Sequence, residues 1–417
     1  MNMKYILIGA GSRGMTYGMC ARDLGIDIAA VAELRPDRLT YAGETLNVPS
    51  EMRFRDAAEL LALGKIADAA IIATMDRDHY GHVMQALDCG YDILLEKPIS
   101  PDPKECIAIE EKANLLGRSI TVCHVLRYAP FFMELKKIVD SGELGRIVAI
   151  KHAENIGNFH MAHSFVRGNW RNDTLSSPII LQKSCHDLDI LLWLTGAHCQ
   201  RVVAFGGLHY FRPENAPEGS TERCLDCPHR QTCRFNAWQA YRAMLGQWPT
   251  DVVCLEQTEE ALLEALRNGP YGRCVYKCDN NVCDHMSAIM EFEGGITATF
   301  SLTAQTSNIH RNIHIMCEHG EIEADDLNGT ITITHFRRNQ AEQPISRTLT
   351  LGARLEGHGG GDEAIIADFT FVLKHNPKVS RSAISHSVES HLMACAMEAS
   401  RLTGQVVDLA QYRTSLI

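Results

Sequence analysis

A glycine turn near the start of the chain carries the most specific chemical signal in the sequence. Gly9-Ala10-Gly11-Ser12-Arg13-Gly14 has the spacing GxGxxG. In such a turn, backbone N–H groups approach a pyrophosphate, and the helix that follows directs its partial positive charge at the phosphates. The turn follows a short apolar run at 4–8 and precedes an amphipathic segment at 15–24, which is the order strand, turn and helix that this motif requires. We therefore expect a dinucleotide cofactor here.

An acidic residue after the second predicted strand indicates which dinucleotide is bound. Glu33 follows the apolar segment 28–32 and lies nineteen residues after Gly14. A carboxylate at this place accepts hydrogen bonds from the adenosine ribose and repels a 2′-phosphate. Arg35 and Arg38 lie just beyond and could partly offset that repulsion, and a solvated glutamate is the alternative interpretation. The pattern favours NAD over NADP.

A lysine after a later strand could carry out proton chemistry. The apolar segment 91–95 ends at Glu96-Lys97-Pro98. Ligands of open parallel sheets lie outside the carboxyl ends of the strands, so Lys97 is delivered to the crevice that the glycine turn borders. There a lysine can hydrogen-bond the oxygen whose carbon loses hydride, and it can exchange the proton if burial lowers its pKa. An ordinary charge pair at a strand end is the alternative.

The composition bounds the class of protein. The chain has 417 residues, of which 45% are hydrophobic, and this length predicts two domains, with an insertion as a further possibility. A net charge of −11 argues against nucleic acid or an anionic membrane as partner. We recognise no signal peptide and no apolar run long enough to span a membrane, so we expect a cytoplasmic protein. Fifteen cysteines then indicate reduced thiols or metal ligands before disulfides.

Several segments, in order, resemble the Gfo/Idh/MocA oxidoreductases, named for glucose–fructose oxidoreductase and inositol dehydrogenase. GAGSRG and the later EKP form the first pair, and ATMDRDHYGHVMQALDCGYDILLEKPIS has His79 at the family's histidine position. The resemblance continues through HVLRYAPFFMELKKIVDSGELGRIVAI, NWRND at 169–173 and CHDLDILLWLTG at 185–196. It implies an α/β fold, with an N-terminal Rossmann doubly wound parallel sheet followed by an α/β domain that has a large, mainly antiparallel sheet.

The resemblance also implies domain limits and a cofactor site. We expect the NAD-binding domain at 1–125 and a substrate-binding and oligomerisation domain at 126–417, with a cysteine-rich insertion at about 207–281. The residues predicted to bind NAD are Gly9, Gly11, Ser12, Arg13, Gly14, Glu33, Thr74, His79, Glu96 and Lys97.

The sequence departs from the family at one position that matters for catalysis. Sugar dehydrogenases of the family usually carry an aspartate four residues before the histidine that corresponds to His186, and here that position is Gln182. Asp187 or Asp189 could replace the missing carboxylate, and Lys183 adds a second cation. His186 begins an apolar helical segment and suits a general acid or base. The predicted catalytic residues are Lys97, His186, Lys183 and Tyr128.

A dense group of polar residues follows the predicted strand at 147–152. In the family such segments line the substrate side of the nicotinamide, although a surface loop is an alternative and the two-histidine spacing is only a weak metal pattern. His358, in a glycine-rich turn, is a further candidate. The residues predicted to contact substrate are Arg127, His160, His163, Arg167, Trp170, Arg171, Asp189 and His285.

The insertion suggests a structural metal. Cys224, Cys227 and Cys233 have the spacing of one half of a tetrahedral zinc centre. The fourth ligand is ambiguous among His209, His229 and the downstream cysteines Cys254, Cys274, Cys278 and Cys283. An iron–sulfur cluster fits the spacing poorly, and reduced packing cysteines are the alternative.

Three functions remain open at this stage. The first is an NAD-dependent oxidoreductase that acts on a hydroxyl of a sugar, glycoside or cyclitol. The second is an NAD-dependent glycoside hydrolase or lyase, known in the same superfamily, which works by transient oxidation of C3, elimination of the aglycone, addition of water and re-reduction. The third is a non-catalytic NAD-binding protein, which the presence of Lys97 and His186 disfavours. A homodimer or homotetramer is expected.

Overall fold

Two β-sheets organise the chain in this computed structural model, which describes residues 3–352, 359–375 and 380–417. His358, a candidate from the sequence, lies outside the described residues. The first sheet is parallel and its strands run in the order β3-β2-β1-β4-β5-β6. Its strands are β1 Lys4–Ile8, β2 Asp27–Ala32, β3 Arg53–Phe54, β4 Ala69–Ile72, β5 Asp92–Leu95 and β6 Ile120–Val122.

The second sheet has nine strands in the order β14-β13-β12-β11-β7-β10-β9-β8-β15. Only β7 and β10 pair in parallel; the other neighbours are antiparallel. The strands are β7 Ile147–Asn155, β8 Cys199–Gly207, β9 His285–Phe292, β10 Thr297–Thr303, β11 His310–Cys317, β12 Gly320–Asp325, β13 Thr330–His335, β14 Ile345–Thr350 and β15 Val407–Asp408. The predicted fold class, a parallel Rossmann sheet plus a mainly antiparallel sheet, is confirmed.

Helices cover both faces of the first sheet and the inner face of the second. The α-helices are α1 Ser12–Asp23, α2 Pro36–Thr45, α3 Ala57–Leu61, α4 His79–Asp88, α5 Pro103–Leu116, α6 Pro130–Asp140, α7 Asn158–His160, α8 Ile179–Gln182, α9 Cys185–Thr195, α10 Ala237–Arg242, α11 Thr250–Val253, α12 Glu259–Asn268, α13 Gly361–His375, α14 Ile384–Thr403 and α15 Leu409–Leu416. A π-helical turn, Met161–Arg167, continues α7. No described helix combines the length and the apolar character that crossing a membrane requires.

Side chains of β1 alternate between two separate cores. Ile6 and Ile8 pack on the side of α4 and α5, whereas Tyr5 and Leu7 pack on the side of α1. This alternation follows from the two-residue period of a strand, and both faces are apolar because helices cover a parallel sheet on both sides. The strand is therefore a continuous apolar run, as the sequence shows.

The end of the chain returns to the first sheet. Ile365, Ile366 and Phe369 of α13 are buried in the same core as Tyr5 and Leu7. Val388 of α14 joins the core on the opposite face. The Rossmann layer therefore includes helices from beyond residue 360, although the six strands of its sheet all lie before residue 123.

The cysteine-rich segment interrupts a pair of neighbouring strands. β8 and β9 are antiparallel neighbours, yet residues 208–284 lie between them. This segment folds on a small apolar core of its own, composed of Cys224, Ala237, Tyr241, Leu262 and Leu266. It is thus an insertion into a β-hairpin.

Candidate active site

The glycine turn has the close approaches that a dinucleotide site requires. Gly9 has a φ of +88°, and a side-chain carbon there would lie 2.6 Å from the carbonyl oxygen of Ala73. A carbon on Gly14 would lie 1.9 Å from the carbonyl oxygen of Gly9, so helix and strand pack too closely for any side chain. Gly11 instead has no atom within 4 Å of that position, which leaves room beside the start of α1. These residues fit a pyrophosphate group at the helix N-terminus.

Glu33 lies at the carboxyl end of β2, beside the glycine turn. One oxygen of its carboxylate accepts a hydrogen bond from the backbone N–H of Ala10 at 2.8 Å, and the other accepts one from Arg35 N–H at 2.9 Å. These bonds orient the carboxylate, and each oxygen retains a second lone pair for a ribose hydroxyl. The guanidinium of Arg35 is occupied by Asp37, which reduces its capacity to attract a 2′-phosphate.

Arg13 and Glu96 form an ion pair that joins α1 to the end of β5. Arg13 Nε donates to Glu96 Oε1 at 2.8 Å, and its other nitrogens donate to Asp362 of α13. Glu96 also accepts bonds from the hydroxyl of Tyr17 and from the backbone N–H of Lys97. Burial would raise the pKa of Glu96, but Arg13 and Lys97 outweigh it and lower that pKa. These bonds connect α1, β5 and α13, and the predicted binding of NAD by Arg13 and Glu96 stays a prediction.

His79 fixes the segment that carries Lys97. Its buried ring lies with Nδ1 2.7 Å from the carbonyl oxygen of Pro98 and Nε2 3.1 Å from that of Thr74. The ring therefore bridges the loops that follow β4 and β5. The hydroxyl of Thr74 lies 3.1 Å from Nδ1 of His82. His79 thus connects the two loops, and its predicted part in NAD binding stays a prediction.

Lys97 meets the second sheet's helices across the crevice. Its Nζ donates to the backbone carbonyl oxygen of Gln182, at the end of α8, at 2.8 Å. Gln182 is the position where the family's sugar dehydrogenases carry an aspartate. Among the described residues, no carboxylate lies within salt-bridge distance of the Lys97 ammonium. A backbone oxygen therefore holds the ammonium beside α9.

His186 begins the next helix, α9, and is buried with two other histidines. Its ring centroid lies 5.6 Å from that of His124, which in turn lies 5.7 Å from that of His391. Neither ring nitrogen of His124 has a hydrogen-bond partner among the described residues. Burial lowers the pKa of His124 to about 4 and that of His391 to about 3. Sequence reasoning missed both residues, since each is a single histidine in an apolar stretch.

Lys183 belongs to a buried network of charges behind the crevice. Its Nζ lies 3.2 Å from Oε1 of Glu154 on β7, and Arg311 of β11 lies 2.7 Å from the other oxygen. Arg311 also donates to Asp187, which lies 2.7 Å from Nε2 of His152. Sequence reasoning missed Glu154, Arg311 and His152, because alternation along a strand does not show which inward polar residues meet.

Tyr128 lies away from this arrangement. Its hydroxyl donates to Asp368 at 2.9 Å and contacts the hydroxyl groups of Ser380 and Ser382. The side chain is buried in the core shared by β1 and α13. Desolvation raises the pKa of Tyr128. These bonds hold α13 and the 380–382 segment, and the predicted catalytic role of Tyr128 stays a prediction.

Arg127 and Asp189 bind each other. The guanidinium donates to both carboxylate oxygens of Asp189, at 2.6 and 2.7 Å, and to the carbonyl of Arg381. Burial would raise the pKa of Asp189, but Arg127 outweighs this and lowers it. Both residues are almost fully buried in this ion pair, and their predicted contact with substrate stays a prediction.

The polar segment after β7 is largely internal. Arg167 is 1% exposed and donates to the carbonyl oxygens of Arg273 and Phe235. His163 stacks on Tyr271 with centroids 4.8 Å apart, and burial lowers its pKa to about 3. Arg171 pairs with Asp279 through two hydrogen bonds. These contacts hold the insertion, and the predicted contact of the three residues with substrate stays a prediction.

The remaining predicted substrate residues are more accessible. His160 is half-buried, with its ring centroid 5.2 Å from that of Trp248. Trp170 packs against Phe165. His285, at the start of β9, is half exposed and lies 2.9 Å from Asp284. No described contact joins these three residues to Lys97 or His186, so their roles stay predictions.

The structure does not support the predicted zinc site. Among the described residues, no group of three histidine, cysteine, aspartate or glutamate side chains is arranged to hold a metal ion. The thiol of Cys224 instead accepts a hydrogen bond from Arg167 at 3.3 Å. Cys227, Cys233, His229 and Cys274 line the same small cavity, of about 20 Å³. The apolar core of the insertion provides the packing that the metal was expected to replace.

Comparison with models of protein families shows which family this chain belongs to. A model of the oxidoreductase family with NAD-binding Rossmann fold matches residues 3–124, and a model of the GFO/IDH/MocA C-terminal domain matches residues 132–323. The chain belongs to the GFO/IDH/MocA oxidoreductase family. The resemblance proposed from the sequence is confirmed, and the N-terminal sheet is an NAD-binding Rossmann fold.

Individual relatives within the GFO/IDH/MocA family are distant. A Bacillus subtilis protein named as an oxidoreductase, YteT, is 24% identical over 324 residues, which cover 74% of this chain and 73% of YteT. Inositol 2-dehydrogenase of Corynebacterium glutamicum is 29% identical over 206 residues, 48% of this chain and 55% of the enzyme. The match therefore spans about half the length of the inositol dehydrogenase.

Solved structures share the GFO/IDH/MocA fold over nearly the whole chain. An oxidoreductase from Agrobacterium radiobacter in complex with NAD+, L-tartaric acid and magnesium has a TM-score of 0.71 at 16% identity, and the match covers 99% of both chains. UDP-N-acetylglucosamine 3-dehydrogenase from Acidithiobacillus ferrooxidans has a TM-score of 0.66 at 16% identity, covering 96% of this chain and 97% of that one. At this identity the likeness establishes the fold alone.

Proposed function

We propose that this protein is an NAD-dependent dehydrogenase that oxidises a hydroxyl group of a sugar, glycoside or cyclitol. The observation that carries the proposal is the placement of Lys97. The lysine lies at the carboxyl end of β5, beside the glycine turn, and its ammonium reaches across the crevice to the backbone of Gln182. A ligand that enters there meets the cofactor domain on one side and α9 on the other.

The chain's own residues have distinct tasks in this reaction. Bound NAD+ supplies the acceptor for the hydride. Lys97 donates a hydrogen bond to the substrate oxygen, and Lys97 or His186 takes the hydroxyl proton as the carbonyl forms. Glu96 and His79 keep Lys97 in place through its backbone and through Pro98. The names of the inositol and nucleotide-sugar dehydrogenases support a polyhydroxylated substrate.

A second candidate is a redox-assisted glycoside hydrolase or lyase. This chemistry requires an additional acid or base, which removes a proton beside the new ketone before the aglycone leaves. Lys183 favours it, because it provides a second amino group whose pKa is lowered by burial first and, to a smaller extent, by the charge of Lys97. The cofactor is not consumed in that cycle.

One assay separates the two candidates. Purified protein is incubated with NAD+ and a panel of cyclitols, free sugars and p-nitrophenyl glycosides, while NADH and nitrophenol are followed together. NADH that accumulates with a keto product supports the dehydrogenase. Nitrophenol released over many turnovers without net NADH supports the hydrolase. If neither signal appears with any member of the panel, the proposal fails.

We further propose that the protein forms a homodimer or homotetramer through the outer face of the nine-stranded sheet. On this face Phe205 is 65% exposed and Ile289 is 56% exposed, and both line a broad groove of about 730 Å³. Lys151 and Glu323 lie in the same groove. Apolar and opposite-charge groups on one face suit packing against a second copy.

A further inference from the structure

Glu154 is a completely buried carboxylate beside the crevice. It lies on β7, and solvent reaches neither of its oxygens. Oε1 lies 3.2 Å from Lys183 Nζ, and Oε2 lies 2.7 Å from a guanidinium nitrogen of Arg311. Uncompensated burial of a carboxylate is costly, and these two cations offset that cost.

The two cations differ in their access to solvent. The side chain of Arg311 is 3% exposed, and Asp187 holds its other edge at 2.7 Å. The side chain of Lys183 is 16% exposed. Glu154 therefore joins a sealed arginine to a lysine whose side chain is the more exposed of the two.

Charged groups from four elements act on Lys183. Burial lowers its pKa; Glu154 on β7 opposes this most strongly, and Asp187 on α9 opposes it weakly. Arg311 on β11 and Lys97 after β5 lower the pKa further. Glu154 is thus the main group that favours the charged form of Lys183.

We propose that Glu154 is the positioning residue of Lys183 and that the two form a second acid–base pair beside Lys97, where Gln182 lacks the family's carboxylate. This inference rests on the proposed function. Lys183 alternates between ammonium and amine: when it takes a proton from the ligand, an N–H bond forms and the electron pair stays on the ligand atom. Arg311 holds the carboxylate of Glu154 in place throughout.

The test follows the protonation of Lys183 without turnover. The protein is labelled with ¹⁵N on its lysine side chains, saturated with NAD+ and titrated with pH by NMR, and the Lys183 signal is assigned with Lys183→Gln. In Glu154→Gln, the midpoint of Lys183 should fall by about one to three pH units, a 10- to 1000-fold loss of proton affinity, because an opposite charge is removed. Melting temperature and NAD+ affinity report whether the variant is folded.

Two further variants keep the test decisive. Asp187→Asn disturbs the far end of the same network and should move the Lys183 midpoint much less. Glu154→Asp keeps a negative charge for Arg311 but moves it away from Lys183. The pH midpoint of Lys183 should therefore fall less than it does in Glu154→Gln. The proposal is overturned if both Glu154 variants leave the midpoint unchanged, or if Asp187→Asn shifts it as much as Glu154→Gln does. Because no substrate is used, these outcomes are independent of the proposed dehydrogenase activity.

Discussion

At the residue scale, the charged groups behind Lys97 divide into those that solvent reaches and those that it does not. Lys183 is partly accessible, whereas Glu154, Asp187 and Asp189 are sealed. Fully buried carboxylates cannot accept hydrogen bonds from a ligand. They instead hold the neighbouring cations in place through ion pairs. The groups available to a substrate are therefore cationic or neutral donors.

The Arg127–Asp189 pair provides a test of that division. Asp189→Asn leaves a buried guanidinium without its counter-ion, which typically costs about 3–5 kcal/mol in the free energy of unfolding. Lys137→Gln removes an exposed ion pair with Glu134 and should cost less than about 1 kcal/mol. Urea denaturation of the two variants measures both values. Equal stabilities would show that the buried pair has no structural role.

Three buried histidines predict how stability depends on pH. Burial lowers the pKa of His124 to about 4 and those of His163 and His391 to about 3. In the unfolded chain these histidines bind protons near pH 6.5, whereas in the folded chain they stay neutral at that pH. The free energy of unfolding therefore has its full value above pH 6.5 and decreases as the pH falls below it. Below pH 6.5, each histidine lowers the free energy of unfolding by about 1.4 kcal/mol per pH unit.

Urea denaturation at pH 7.5, 6.0 and 5.0 measures the pH dependence. His163 lies outside the proposed catalytic group. The substitution His163→Gln should reduce the slope of the free energy of unfolding against pH by the contribution of one histidine. An unchanged slope in this variant would contradict the assigned protonation state of His163.

At the element scale, α13 is an integral part of the Rossmann layer. Its apolar side packs against β1 and α1, and Asp362 at its start binds Arg13 of α1. The helix thereby connects the far end of the chain to the start of the cofactor site. Changes in α13 should therefore affect the stability of the N-terminal domain.

Two phenylalanines of α13 form a matched pair for this test. Phe369 is fully buried, whereas Phe371 is 54% exposed. Phe369→Ala should lower the free energy of unfolding by about 3–5 kcal/mol, because it leaves a cavity in the core. Phe371→Ala should change it by less than about 0.5 kcal/mol. If both variants melt at the same temperature, α13 does not support the Rossmann core.

Local sequence patterns predicted strands and turns, whereas contacts between residues far apart in the sequence could not be predicted from such patterns. The strand at Lys4–Ile8 and the hairpin of β9 and β10 could be predicted, since apolar periodicity and a glycine turn are local signals. Glu154 could not be predicted as a partner of Lys183, because a pairing across 29 residues depends on how β7 meets the end of α8. The burial of Arg127 and Arg167 could not be predicted for the same reason, since the sequence shows charge but not burial; their substrate roles stay predictions. The domain limits stay predictions.

At the scale of the whole molecule, one surface is the proposed site of assembly. The outer face of the nine-stranded sheet exposes Phe205 and Ile289 beside one another on neighbouring strands. Phe205→Glu would place a charge in the proposed interface and should yield a monomer of 46.4 kDa. Leu402→Glu, which changes an exposed apolar residue of α14, should leave the assembly intact. Light scattering measures both masses, and an oligomer that survives Phe205→Glu contradicts this interface.

The central claim is that Lys97 carries proton chemistry in an NAD-dependent oxidation, and Lys97→Met tests it most directly. The variant is assayed beside the unmodified protein, with a substrate identified in the panel, while NAD+ affinity is measured by calorimetry. We predict that kcat falls about 100- to 10,000-fold, as expected for loss of a general acid–base group, while NAD+ affinity is nearly unchanged. Lys104→Met, on the exposed start of α5, should retain full activity. Turnover that persists in Lys97→Met with NAD+ bound would contradict the account.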